Sequence, residues 1–237
     1  IDLETVNIDI SQVESKITDR TKVILPVHLF GLSAEMEPLV ALARKHNLWI
    51  VEDAACGFGA KYKGNHVGTF GDAGCFSFHP RKAITTGEGG MVTTNDDSLA
   101  EKIRRLRDHG AAMTDLQRHL GTRPYLLADH PDAGYNQRMT DLQASLGSAQ
   151  MDRADEIVLE RQSLASAYDE AFASLKWLRV PCKATEYQHG YQSYPCLFMP
   201  EGVDLDAVEE INSMRNNWMD DLHKKGISTR PATHAVH

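Results

Sequence analysis

Residues 22–53 read KVILPVHLFGLSAEMEPLVALARKHNLWIVED, and this stretch decides the fold. The apolar run Val23, Ile24 and Leu25 gives way to Pro26, Phe30 and Gly31. Apolar residues then recur at helical spacing, at Met36, Leu39, Val40, Leu42 and Ala43, before a second apolar run from Leu48 to Val51. Strand, helix and strand with connections this short form a right-handed parallel crossover, which places the chain in the α/β class. Asp53 then stands at the carboxyl end of a buried strand. In open α/β sheets ligands bind at that edge, so an acid there invites a functional reading.

Residues 60–68 read as a small hairpin, Lys61, Tyr62 and Lys63 turning at Gly64 and Asn65 towards Val67. Ala73 to Phe78 is a further buried strand and Met91 to Thr94 another, joined by the Gly- and Thr-rich loop His79 to Gly90. Asn95 or Asp96 can cap a helix from Asp97 to about Arg107, whose basic end suits a helix carboxyl terminus. His109 to Tyr135 mixes Pro and Gly with polar residues and reads as a long irregular excursion with room for one short helix. Helical spacing resumes from Met139 to about Ser174, with a bend expected near Asp152. A strand at Tyr194 to Met199, a helix from Asp204 to Lys225 and a strand from Ile227 complete the pattern. The expected division is a large domain over 1–150, and a linking helix with part of a smaller α+β domain over 151–237.

Of the 237 residues, 42% are hydrophobic, enough for a sizeable core. Lys and Arg number 25 against 33 Asp and Glu, a net charge of −8 without a basic run. This excludes a general binder of nucleic acid or anionic membrane and favours small molecules or protein subunits as partners. No apolar stretch approaches the roughly 20 residues of a membrane span, and Ile1 to Ile10 lack a basic leader. Cys56, Cys75, Cys182 and Cys196 form no CxxC pair, so neither a metal site nor a disulfide framework is suggested, and reduced thiols in the cytoplasm are expected. The chain opens at Ile1 without Met and stops at His237 without a helix-ending signal, so both ends are expected to be cut.

Three features carry chemistry, and each also has a plain structural reading. Asp53 can be a helix cap, Lys82 in the stretch Ser77 to Lys82 can be a solvated loop residue, and Asn136 and Arg138 can be a polar helix entry. The combination reads differently. Pyridoxal phosphate presents three chemical ends: an aldehyde that bonds to a lysine, a pyridine nitrogen that a carboxylate keeps protonated, and a phosphate held by hydroxyl or amide donors. Lys82, Asp53 and Ser77 supply one group for each.

The segments Glu52-Asp53-Ala54-Ala55, Gly68-Thr69-Phe70-Gly71, Phe76-Ser77-Phe78-His79-Pro80-Arg81-Lys82 and Thr86-Gly87-Glu88-Gly89-Gly90 together resemble the DegT/DnrJ/EryC1/StrS aminotransferases. The resemblance continues through Gly134 to Gln150 and into Gly226 to His237. It implies the fold-type I architecture of pyridoxal phosphate-dependent transferases, with a mostly parallel sheet between helices. The implied function is transfer of an amino group from an amino acid such as glutamate to a nucleotide-linked keto-sugar, in surface polysaccharide or sugar biosynthesis. By the same resemblance Lys82 is the Schiff-base lysine and proton carrier, Asp53 the pyridinium partner and Ser77 a phosphate-binding hydroxyl. Asn136 corresponds to an asparagine that reaches the phosphate of a neighbouring subunit, which implies a homodimer with shared active sites. Arg138 is expected near the donor carboxylate or the sugar nucleotide, and His237 near the substrate opening.

Two departures stand out. Cys56 occupies a coenzyme-contacting position where the family commonly has Gln, His or Glu, so that polar contact is expected to be weakened or replaced. An amino-terminal part of the large domain, with its phosphate loop and the residue that packs on the ring, is expected outside this chain, as is the carboxyl-terminal end. Two alternatives accompany the aminotransferase: a sugar dehydratase of the same family, in which histidine replaces the lysine, and an inactive fragment that keeps only the fold.

Overall fold

Met36, Leu39 and Ala43 are buried on one face of a single helix and pack with Ile24, Ile50 and Tyr62. The structure is a computed structural model that describes residues 1–113, 115–123, 125, 127–200, 204 and 206–231. It runs through helix α1 (Ile10–Val13), strand β1 (Val23–Ile24), helix α2 (Met36–His46) and strand β2 (Trp49–Asp53), then strands β3 (Lys61–Tyr62), β4 (Asn65–His66), β5 (Ala73–Ser77) and β6 (Gly90–Thr93). Helices α3 (Asp97–Leu106), α4 (Asp115–Leu120), α5 (Asp141–Met151) and α6 (Ala154–Phe172) follow. Strands β7 (Leu178–Arg179), β8 (Tyr187–Gln188) and β9 (Leu197–Phe198) precede helix α7 (Val208–Lys224).

Helix α2 forms where its sequence allows. Pro38 falls in the first turn, where its missing N–H would have had no helical partner. Arg44, Lys45 and His46 complement the negative end of the helix dipole. Asn47 then adopts the left-handed conformation (φ 51°), its N–H reaching Ala43 O and Arg44 O, and β2 starts two residues later. Leu39 is fully buried, so truncation to Ala would cost about 2–5 kcal/mol.

The main sheet has the order β1-β2-β5-β6, with β1, β2 and β5 parallel and β6 antiparallel to β5. It is the mostly parallel α/β sheet expected. The hairpin β3–β4 turns at Lys63 and Gly64, both at positive φ, one residue earlier than the sequence suggests. Two such residues build the primed turn whose twist matches that of the flanking strands. β3 also pairs with β8, extending the hairpin to three strands.

Asp96 is the cap of α3, its carboxylate accepting the Leu99 N–H at 3.0 Å. The excursion after α3 contains α4, and its ends are tied by the His109 N–H donating to Tyr135 O at 2.8 Å. The single bent helix expected over 139–174 is instead two helices, α5 and α6, because Arg153 leaves the helical region (φ −111°, ψ 12°). The strand expected at Tyr194–Met199 shortens to β9, paired with β7. From Ile227 to Pro231 no strand forms. Gly226 turns left-handed (φ 80°) and the Ile227 N–H is consumed in capping α7 by donation to Leu222 O at 2.9 Å. Among the described residues no helix is long and apolar enough to cross a membrane.

Candidate functional site

The topology delivers three of the expected residues to one end of the sheet. β2 and β5 are parallel neighbours with Asp53 opposite Cys75, so Asp53 and Ser77 leave the sheet at the same end. β6 returns antiparallel with Gly90 opposite Ser77, so the intervening loop that carries Lys82 closes over that end too. The loop is pinned by its own groups. The Phe78 N–H donates to Gly89 O at 2.8 Å, the Thr86 N–H donates to Phe78 O at 3.0 Å, and the Lys82 N–H donates to His79 O at 2.9 Å.

Asp53 Oδ1 accepts the Ala55 N–H at 3.0 Å, which bends the chain sharply after β2. The bend brings Cys56 to the lysine: Lys82 Nζ donates to Cys56 Sγ at 3.1 Å. Burial first, and the charge of Asp53 second, raise the Cys75 thiol above its ordinary range. Ser77 Oγ accepts the His79 N–H at 3.3 Å, which leaves the hydroxyl proton to donate elsewhere.

Asn136 and Arg138 belong to an adjoining group at the end of α3. Asn136 bridges Asp108 in antiparallel fashion, and Arg138 Nη1 pairs with Asp108 Oδ1 at 2.7 Å. Asn136 and Arg138 are exposed and line a shallow pocket with Met139, Thr140 and Asp141. The group touches the lysine loop through Gln143 of α5, whose Nε2 donates to Glu88 O at 3.0 Å. His237 lies outside the described residues.

One buried pair beside the site was not anticipated. Glu52, fully buried, accepts four hydrogen bonds: from His28 Nε2 at 2.9 Å and from the N–H groups of Gly68, Phe70 and Gly71 at 2.7 Å each. His28 Nδ1 accepts the Ala34 N–H, which assigns the ring proton to Nε2 as donor to Glu52. Burial pulls the Glu52 carboxyl upward, but the bonds from His28, Gly71 and Gly68 outweigh it and hold the group below its usual range. The Gly68-Thr69-Phe70-Gly71 motif is thus the backbone cradle of this carboxylate. A signal was present in the sequence: Glu52 shares the inward face of its strand with Ile50, and an acid there requires partners. Gln143, Gln150 and Gln192, which hold the lysine loop from other segments, carry no local signal.

Residues 1–237 match the sequence model of the DegT/DnrJ/EryC1/StrS aminotransferase family. The chain belongs to this family. It is 39% identical over 237 residues to the GDP-perosamine synthase of Caulobacter vibrioides, covering 100% of this chain and 58% of that protein. Among solved structures it resembles Helicobacter pylori PseC, an aminotransferase involved in the biosynthesis of pseudoaminic acid, at 30% identity and a TM-score of 0.84, over 96% of this chain and 57% of that one. The sugar aminotransferase Spr1654 of Streptococcus pneumoniae, described as putative, matches in its PMP form (TM-score 0.85, 27% identity, 99% of this chain and 61% of that one). Its PLP form matches as well, with a TM-score of 0.83. The chain therefore spans somewhat over half the length of the curated relatives it matches.

Pyridoxal phosphate is the coenzyme of the aminotransferases in this family. The donor set here fits it, since an amine on Lys82, a carboxylate on Asp53 and a hydroxyl on Ser77 converge on one sheet end from neighbouring strands and the loop between them.

Proposed function

We propose that the protein carrying this chain moves an amino group from an amino acid, glutamate, to a keto-sugar joined to a nucleoside diphosphate. The observation that supports this best is the meeting of Lys82, Asp53 and Ser77 at one end of the sheet, within a chain of this aminotransferase family. Pyridoxal phosphate, when bound, supplies an electron sink for the charge that develops at the substrate carbon. Lys82 Nζ takes the α-proton of the amino acid and, in the second half-reaction, returns a proton to the former keto carbon of the sugar. The Asp53 carboxylate keeps a proton on the ring nitrogen by stabilising its cationic form. Ser77 Oγ donates its free proton to the phosphate.

Asn136 completes the phosphate site of a neighbouring subunit in a homodimer, and Arg138 takes a carboxylate or phosphate of the substrate in place of Asp108. His237 approaches the substrate opening. The reaction belongs to surface polysaccharide or sugar biosynthesis in the cytoplasm. Lys82 itself weighs against the dehydratase, which replaces that lysine with histidine, and the intact set of Lys82, Asp53 and Ser77 weighs against an inactive fragment. The test is incubation of the full protein with glutamate and a panel of nucleotide-linked keto-sugars. Formation of an amino sugar together with 2-oxoglutarate is expected, and failure with every keto-sugar, with pyridoxal phosphate bound, would overturn the reading.

A further inference from the structure

The loop that carries Lys82 is held on both sides of the lysine by one distant side chain. Gln192 Oε1 accepts the Ala83 N–H at 3.1 Å, and Gln192 Nε2 donates to Arg81 O at 2.7 Å. Both ends of one planar amide are thus spent on the two residues that flank Lys82. With the Lys82 N–H already donating to His79 O at 2.9 Å, the direction in which its side chain leaves the backbone is fixed. From that start the side chain brings Nζ to Cys56 Sγ at 3.1 Å.

Gln192 is itself mounted on a braced segment. The Gly190 N–H donates to Gly31 O at 2.8 Å and the Ser193 N–H to Phe30 O at 3.2 Å. Arg161 Nη1 donates to Tyr191 O at 2.9 Å, and Gln162 Nε2 donates to His189 O at 3.0 Å. The approach to residues 30 and 31 is so close that a Cβ on Gly31 would lie 2.8 Å from the Gln192 backbone nitrogen. Phe30, a non-glycine residue, is held there in the left-handed region at φ 58°. Strained backbone of this kind persists where the surroundings over-determine it, and it collects at functional sites. An amide that only filled surface space would need no such mount.

The geometry points to Gln192 as the positioning residue of Lys82: it presets the lysine for bonding to the coenzyme and takes no part in the chemistry itself. This rests on the reading of Lys82 given above. Pre-organisation of this sort acts on rate, because displacement of a reacting group by about 1 Å can cost on the order of 100-fold.

The test uses the full protein and two variants. Gln192→Met keeps the volume and removes both hydrogen bonds. Gln192→Glu keeps the acceptor for Ala83 and sets an oxygen against Arg81 O. Each is loaded with pyridoxal phosphate, treated with borohydride, and analysed for coenzyme fixed on Lys82 and coenzyme bound in total. Acylation of Lys82 relative to the other lysines is measured in the coenzyme-free protein by peptide mass spectrometry. In the variants, total coenzyme is expected to stay within about threefold of wild type while the fraction fixed on Lys82 and kcat fall by about tenfold or more with KM little changed, and Lys82 acylation shifts severalfold. Lowering the pH is expected to restore part of the fixed fraction in Gln192→Glu, because a protonated carboxyl can again donate to Arg81 O. Unchanged fixation and acylation in both variants would overturn the proposal, as would a parallel loss of total and fixed coenzyme, which marks Gln192 as mere scaffolding. If wild-type protein fixes nothing on Lys82, the assignment of that lysine fails instead.

Discussion

Lys82 Nζ and Cys56 Sγ lie 3.1 Å apart, a contact made across two loops that leave the sheet at the same end. The thiol accepts from the amine. A group added to that sulfur would occupy the space the lysine head needs. Alkylation of Cys56 in the coenzyme-free protein is therefore expected to lower pyridoxal phosphate fixed on Lys82 by about tenfold, with Cys56→Ala insensitive to the same reagent. Full fixation after complete alkylation would show that the amine reaches the coenzyme by another route.

Asp53 has a competing structural use, since Oδ1 already accepts the Ala55 N–H. Asn at this position keeps an acceptor for that turn but removes the charge. Asp53→Asn is expected to fold and retain coenzyme while losing orders of magnitude in kcat, because a neutral amide cannot hold the ring nitrogen cationic. Activity within a few-fold of wild type would reduce Asp53 to a strand-end cap.

Glu52→Gln would put an amide donor among four donors that now converge on a carboxylate. Leaving buried N–H groups without acceptors is expected to cost about 3 kcal/mol or more, read as a lowered denaturation midpoint in urea. The pH dependence follows from the depressed folded-state carboxyl. The stabilisation is present above the unfolded carboxyl's range and is lost as pH falls through the folded one. A change below about 1 kcal/mol would mean that water or a rearranged backbone replaces the carboxylate.

His189 stacks on Tyr191 with ring centroids 3.9 Å apart, and burial pushes its imidazole down to about 4, with the charge of Asp169 opposing. Between pH 6.5 and 4 the unfolded chain takes up a proton that the folded chain refuses, so stability falls as pH falls across that window. The loss should approach about 3 kcal/mol, and His189→Asn, which keeps an acceptor for the Tyr191 N–H, should flatten the profile. Identical pH profiles for the two proteins would contradict the burial of a neutral ring.

What could be read ahead of the structure was what local chemistry encodes. The crossover was legible because Met36, Leu39 and Ala43 repeat at the helical period between two apolar runs, and the placement of Asp53, Ser77 and the Lys82 loop at one end of the sheet because each lies within a few residues of a strand end. The break at Arg153 was placed within one residue but read as a bend, since no Gly or Pro marks it. The strand expected at Ile227 failed because a capping bond is indistinguishable in sequence from the start of a strand. Gln192 could not be found, as it meets residues 109 and 111 positions away through a side chain that is ordinary anywhere on a surface. The His28–Glu52 pair lay within the quoted stretch, but 24 residues separate its members and only the folded crossover joins them.

The central claim is that Lys82 is the residue that bonds the coenzyme, and peptide mapping tests it most directly. The full protein, loaded with pyridoxal phosphate, should absorb in the visible and lose that absorbance on borohydride treatment. Digestion should then place the added mass on Lys82 alone, and Lys82→Ala should show neither the absorbance nor the modified peptide. Coenzyme fixed on a different lysine, or a coloured, borohydride-sensitive Lys82→Ala protein, would contradict the assignment.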